Sequence, residues 1–122
     1  MVKILIIDDE EIVRFTLREI LESDGHEVSE ASDGNKGLNA QRADPAELVI
    51  TDIIMPEKEG VETIIELQKE FPDTKIIAIS GGGRMKNLDF LEVAKKFGAH
   101  SVMSKPFSAR ELIAQVRACI AA

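Results

Sequence analysis

Short apolar runs alternate along this chain with segments whose apolar residues recur every three or four positions, a pattern of strands followed by amphipathic helices. Val2 to Ile7 is nearly all apolar and opens onto Asp8-Asp9-Glu10-Glu11, acids that suit the N-terminus of a helix. That helix carries Val13, Leu17, Ile20 and Leu21 at helical spacing and is stopped by Ser23-Asp24-Gly25. Glu27 to Ala31 is a mixed, weaker strand, after which Ser32-Asp33-Gly34 turns the chain into a poorly patterned helix from about Lys36 to Arg42. The strongest run is Leu48-Val49-Ile50-Thr51-Asp52-Ile53-Ile54-Met55-Pro56, a buried strand that ends on a carboxylate and is closed by proline.

Gly60 to Glu70 follows as a helix with Val61, Ile64, Ile65 and Leu67 on its core face, ending near Phe71-Pro72. Lys75 to Ile79 is a fourth strand, closed by Ser80-Gly81-Gly82-Gly83. Leu88, Leu91, Ala94 and Phe97 mark a fourth helix stopped at Gly98. Ser101 to Ser104 is a short fifth strand before Lys105-Pro106-Phe107. Ser108 with Glu111 three residues later resembles a capping box for a last helix bearing Leu112, Val116, Cys119 and Ile120.

Strands alternating with helices imply a doubly wound α/β fold, a parallel sheet with helices on both faces and right-handed crossovers. Runs one, three and four are almost wholly apolar and belong at the centre; runs two and five are mixed and belong at the edges. The order 2-1-3-4-5 satisfies this and puts a switch point between strands one and three. At that crevice Asp8, Asp9 and Asp52 meet, with Ser80 and Lys105 arriving at the same rim from strands four and five.

Three carboxylates on one rim repel each other, at roughly 4 kcal/mol for a pair about 4 Å apart in an effective dielectric near 20. A hard divalent cation of Mg2+ type, with an all-oxygen site and few protein ligands, offsets that repulsion. The set supplies a metal site, a carboxylate nucleophile, a hydroxyl donor and an ammonium, the parts needed to move a phosphoryl group onto Asp52. Taken singly, each has a plainer use: Asp8-Asp9 as helix-end electrostatics, Lys105 as a solvated lysine, Ser80 as a turn residue. Their joint arrival on one rim favours the chemistry.

Composition narrows the setting. A chain of 122 residues, 44% hydrophobic, is one domain over 1–122 with enough apolar surface for a core. Its 22 acids against 15 bases give a net charge of −7, which argues against direct nucleic-acid binding and toward cations or basic partner surfaces. No window approaches the roughly 20 apolar residues of a membrane span, and Met1-Val2-Lys3 does not begin a signal peptide, so the expected location is the cytoplasm, away from the membrane. Cys119 is the only cysteine and excludes an internal disulfide; its place on an apolar helix face suits a small hydrophobe more than a reactive thiol. His26 and His100 stand at strand entries away from the rim and read as structural.

On the motifs Asp8-Asp9, Asp52 with Met55-Pro56 and Gly60, Ser80, and Lys105-Pro106-Phe107, the chain resembles a receiver domain of two-component response regulators over essentially its whole length. The resemblance implies a flavodoxin-like (βα)5 fold and a signalling phosphoacceptor rather than an enzyme, assisting only its own phosphorylation and dephosphorylation. Asp52 resembles the residue that takes a phosphoryl group from a sensor histidine kinase or a histidine phosphotransfer protein. Asp9 and Asp52 resemble the side-chain ligands of Mg2+, with Asp8 acting largely through water and the backbone carbonyl of Ile54 as a third protein ligand. Lys105 resembles the phosphate-pairing cation, its bond to Pro106 is expected to be cis, and Ser80 resembles the switch hydroxyl. A surface around the fourth helix, fifth strand and fifth helix is expected to change and to meet a downstream protein, in a monomer or a weak phosphorylation-dependent dimer.

Two departures bear on that switch. Val102 stands where receivers usually carry a tyrosine or phenylalanine, and Gly81-Gly82-Gly83 serves either loop mobility or a permissive turn. Lys58 replaces a commonly apolar residue, with no function attached. A receiver-like interaction module that works without phosphorylation stays open on the strength of Val102. A phosphatase using an aspartyl-phosphate is disfavoured, since such enzymes carry a second acid two residues after the nucleophile, where this chain has Ile54. With no output domain expected after the last helix, the chain either docks to another protein, relays the phosphoryl group, or is a piece of a longer regulator.

Overall fold

The computed structural model describes residues 2–53, 60–80, 92 and 95–121. Ile54, Met55-Pro56, Lys58, Gly81 to Gly83, Leu88, Leu91 and Ala94, to which the sequence reading assigned a metal-ligating carbonyl, parts of two motifs and a helix face, lie outside them.

Five strands, β1 (Lys3–Ile7), β2 (Glu27–Ala31), β3 (Leu48–Asp52), β4 (Lys75–Ser80) and β5 (Ser101–Ser104), form one parallel sheet in the order 2-1-3-4-5. The described residues also contain four long helices, α1 (Glu11–Ser23), α2 (Gly34–Ala43), α3 (Gly60–Glu70) and α4 (Ala109–Ala121). The two mixed runs are the edge strands and the apolar runs the central ones, as the pattern requires.

Alternation along the strands divides the core in two. Ile4 and Ile6 of β1, with Leu48, Ile50, Ile77 and Ile79, pack under Leu17 and Leu21 of α1 and Leu112, Val116 and Cys119 of α4. Leu5 and Ile7, with Val49, Ile76 and Ala78, face Leu38 of α2 and Ile64 and Leu67 of α3 on the other side. Both faces of the sheet are therefore covered, which is why β1, β3 and β4 read as near-continuous apolar runs.

Local signals set the helix ends. The Ser108 hydroxyl accepts from the Glu111 N–H at 3.0 Å while Glu111 Oε1 accepts from the Ser108 N–H at 2.8 Å, the reciprocal capping expected ahead of α4. The Asp33 carboxylate accepts from the Lys36 N–H at 2.8 Å and starts α2 two residues earlier than the apolar pattern does. One expected core residue is misplaced: Glu92, Lys95 and Lys96 are helical, but Phe97 lies in the turn that follows and is 47% exposed. The chain turns at Gly98, whose φ of +134° suits glycine, before the apolar stripe reaches Phe97.

Candidate functional site

The carboxyl ends of β1 and β3 lie side by side, since Ile7 is in register with Thr51, and this brings Asp8 next to Asp52. Asp52 is paired with Ile79, so Ser80 is one step further along β4, and Ser80 is paired with Ser104. The chain continues directly from Ser104 into Lys105, whose N–H donates to the Ser80 carbonyl at 2.7 Å. The Lys105–Pro106 peptide bond is cis. Asp8, Asp9, Asp52, Ser80 and Lys105 thus stand on one rim.

Carboxylate oxygens of Asp8, Asp9 and Asp52 all lie within 4.8 Å of one another, with Asp8 and Asp52 buried and Asp9 exposed. Asp8 is held on every side. Its N–H donates to the Ala31 carbonyl at 3.1 Å, its Oδ1 accepts from the Glu10 N–H at 2.9 Å, and its Oδ2 accepts from Lys105 Nζ at 3.2 Å. Lys105 reaches back from β5 across the sheet end to stand 3.5 Å from Asp52 Oδ2 and 3.4 Å from Glu10 Oε1. The Ser80 hydroxyl is fully buried and has no hydrogen-bond partner among the described residues.

These charges perturb one another. Burial pushes the Asp8 carboxyl above the usual carboxylate range; the Glu10 N–H and the Lys105 ammonium act the other way without overcoming it, and Asp9 adds to the rise. Burial pulls the Lys105 ammonium down, but the carboxylates of Asp52, Asp8 and Glu10 outweigh it and leave its pKa raised. Among the described residues three carboxylates meet the Lys105 ammonium and Asp9 adds a fourth beside Asp8 and Asp52, so these groups together carry excess negative charge. Hard oxygen donors, closely grouped and short of positive charge, are the donor set that a Mg2+ ion takes.

Two residues at the rim were not singled out by the sequence. Glu10 read only as a helix-end acid, yet it is the third carboxylate on Lys105. Arg14 donates from Nη1 to the Asp8 carbonyl at 2.8 Å and from Nε to Glu30 Oε1 at 3.0 Å. A signal for Arg14 existed, because it occupies the same helical stripe as Leu17 and Leu21, where a charge needs partners.

The remaining candidates fall elsewhere. Val102 is half-buried against the core cluster on the α2 and α3 side of the sheet, and Pro106 is exposed. His26 and His100 are far from the rim in the chain's layout and cap strand starts: His26 Nδ1 accepts from the Val2 N–H at 3.2 Å and His100 Nδ1 from the Ile76 N–H at 3.0 Å. Cys119 is buried in the core as a small hydrophobe. No helix among the described residues is long and apolar enough to cross a membrane.

The sequence matches the family model described as "Response regulator receiver domain" over residues 4–117. It is 34% identical over 120 residues to the transcriptional regulatory protein CpxR of Klebsiella pneumoniae, covering 98% of this chain and 50% of that protein. It is 33% identical over 119 residues to the alkaline phosphatase synthesis transcriptional regulatory protein PhoP of Bacillus subtilis, covering 97% of this chain and 48% of that one. The chain spans about half the length of the curated relatives it matches. Among solved structures, a response regulator receiver domain protein from Clostridium thermocellum superposes with a TM-score of 0.89 at 34% identity, covering 98% of this chain and 94% of that one.

Proposed function

Because the chain belongs to the response regulator receiver domain family, we propose that it accepts a phosphoryl group on Asp52 from a phosphohistidine donor, a sensor histidine kinase or a histidine phosphotransfer protein. The observation that carries this reading is the convergence of Asp8, Asp9, Asp52 and Lys105 at the carboxyl edge of the sheet. An Asp52 carboxylate oxygen forms the new bond to phosphorus as the donor nitrogen–phosphorus bond breaks. Lys105, already 3.5 Å from Asp52, pairs with the charge on the transferred group, and the Ser80 hydroxyl donates to one of its oxygens. Asp9 and Asp52 would hold Mg2+ by their side chains, with Asp8 acting through water and the Ile54 carbonyl as the further protein ligand that the family resemblance implies. When bound there, the ion would supply positive charge to offset that on the phosphoryl oxygens.

Ile12, 70% exposed on α1, lines a cleft of about 210 Å³ with Lys105 and Phe107, an apolar foothold next to the rim for the donor protein, and Phe15, 57% exposed, lies on the same helix. In this reading the protein signals rather than turns over a substrate, works in the cytoplasm, and uses the receiver domain over 1–122 to report to a downstream protein through Ser80 and the surface near Val102 and Pro106.

Intact-mass spectrometry after incubation with acetyl phosphate and Mg2+ tests the proposal. One phosphoryl adduct is expected on the wild type and none on Asp52→Asn. An unmodified wild type, or equal adducts on both, refutes it.

A further inference from the structure

We propose that Arg14 is a positioning residue for the Mg2+ site, acting through the backbone of Asp8 on the carboxylate of Asp9. The inference rests on the Mg2+ reading above and concerns a contact that reading does not use. The Asp8 side chain is fixed independently, by the Glu10 N–H on one oxygen and Lys105 on the other. Asp9 is different. It is exposed, and among the described residues no hydrogen bond holds its carboxylate, so its direction depends on the two peptide links that flank it.

The first of these links is what Arg14 grips. The peptide group is rigid, so holding the Asp8 carbonyl fixes the Asp8–Asp9 link and with it Asp9 N and Cα; with the following link held by the Glu10 N–H on Asp8 Oδ1, the direction in which the Asp9 side chain leaves the backbone is set. Arg14 Nη1 supplies the hold at 2.8 Å, and the guanidinium is itself anchored through Nε on Glu30 Oε1 at 3.0 Å. Glu30 also pairs with Arg18, which donates to the Val28 carbonyl at 2.7 Å. The chain of contacts ties the acidic turn to edge strand β2. The planar fork matters here, since one side chain serves two acceptors in different directions; an ammonium on a flexible stem serves them less rigidly.

The sign of the effect separates this role from plain electrostatics. Arg14 is a cation near a cation site, so by charge alone its removal tightens Mg2+ binding. Positioning predicts the reverse. Outer partners that orient metal ligands are commonly worth 10- to 100-fold in affinity, and at this exposed site roughly tenfold weaker binding is expected for Arg14→Gln. Arg14→Lys, which keeps the charge, is expected to fall between it and the wild type. In an Asp9→Asn background, Arg14→Gln should add nothing further, because the residue it acts through no longer serves the ion.

Mg2+ titrations of the full chain followed by backbone amide chemical shifts measure these affinities. Weaker binding by Arg14→Gln, with no added loss in the double variant, supports the inference. Unchanged or tighter binding, or full additivity with Asp9→Asn, overturns it. Should Arg14→Gln not fold, Arg14→Lys decides alone: its charge is unchanged, so weaker binding supports the positioning role and wild-type binding overturns it. A wild-type chain that binds no Mg2+ refutes the underlying reading as well, whereas wild-type binding with an indifferent Arg14 removes only this inference.

Discussion

Burial holds the Asp8 carboxyl above its usual range, which means that its negative charge works against the folded state when no cation is present. Substitution Asp8→Asn removes one of three clustered charges while keeping the side chain's shape, so the Mg2+-free protein should become more stable. About 1 kcal/mol, roughly 4 °C in Tm for a domain of this size, is the expected gain, with Mg2+ binding weakened in the same variant. The pH dependence follows from the direction of the shift. With its folded pKa above the unfolded value of 3.8, Asp8 binds a proton more tightly in the native state, so the wild type gains stability as pH falls through the raised pKa toward 3.8. The Tm gap between Asp8→Asn and wild type should therefore narrow on acidification, measured by circular dichroism melts in chelator; a gap that widens contradicts the assignment. Lys105 has linkage of the same sign in a far more alkaline window: its raised pKa contributes stability that is present below its unfolded value and lost as pH rises through the folded one.

Elements carry the next scale of constraint, and α2 shows where pattern reading loses its grip. Its buried positions are Gly34, Gly37, Leu38 and Gln41, so a single large apolar residue marks the core face and the stripe is nearly invisible in sequence. Gln41 is buried because it serves the backbone, donating to the Ala46 carbonyl at 3.0 Å and accepting from the Ala46 N–H at 2.8 Å, a role no hydrophobic pattern encodes. Gly37 is there for space. A Cβ at that position meets Ile7 Cδ1 at 2.3 Å and Cγ1 at 2.7 Å, and Ile7 is a fully buried residue of β1 immediately before Asp8. Alanine gains about 1 kcal/mol in helix propensity, but overpacking costs about 1 to 3 kcal/mol, so Gly37→Ala should be net destabilising in urea unfolding. At the opposite end of the sheet, the N–H of Ile76, the second residue of β4, donates to His100 Nδ1, which requires the neutral ring. Burial first and the Lys75 charge second lower the His100 pKa below 6.5, so its contribution is present above that value and lost as pH falls through the lowered one. Replacement by asparagine, whose amide oxygen accepts without titrating, should flatten the stability profile over that window. A slope that persists in His100→Asn assigns the loss to other groups.

For the molecule as a whole, the fold was legible because five strands announce themselves by β-branched runs and the edge strands by their mixture, whereas the site was legible only as a joint pattern of Asp8, Asp9, Asp52, Ser80 and Lys105. What escaped was contact made through backbone atoms. Arg14 on the Asp8 carbonyl depends on the path of the turn after β1, which residue types do not specify, and Phe97 was misassigned because Gly98 ends the helix before the apolar spacing does. The concentration of acids at one end of a chain with net charge −7 also makes stability and ion binding one problem. A ligand that binds only the native state stabilises it by RT ln(1 + [L]/Kd), about 1.4 kcal/mol at tenfold excess over Kd. Mg2+ should therefore raise Tm in a saturable way, beyond the rise from KCl at equal ionic strength, which only screens exposed charge. In Asp9→Asn the response to the two salts should converge, because the exposed ligand is gone while the net charge has changed by one. If both salts raise the wild-type Tm equally, the acidic rim is a diffuse field rather than a coordination site. If Mg2+ exceeds KCl in the wild type alone, three carboxylates that destabilise the empty fold have become its ion-dependent anchor.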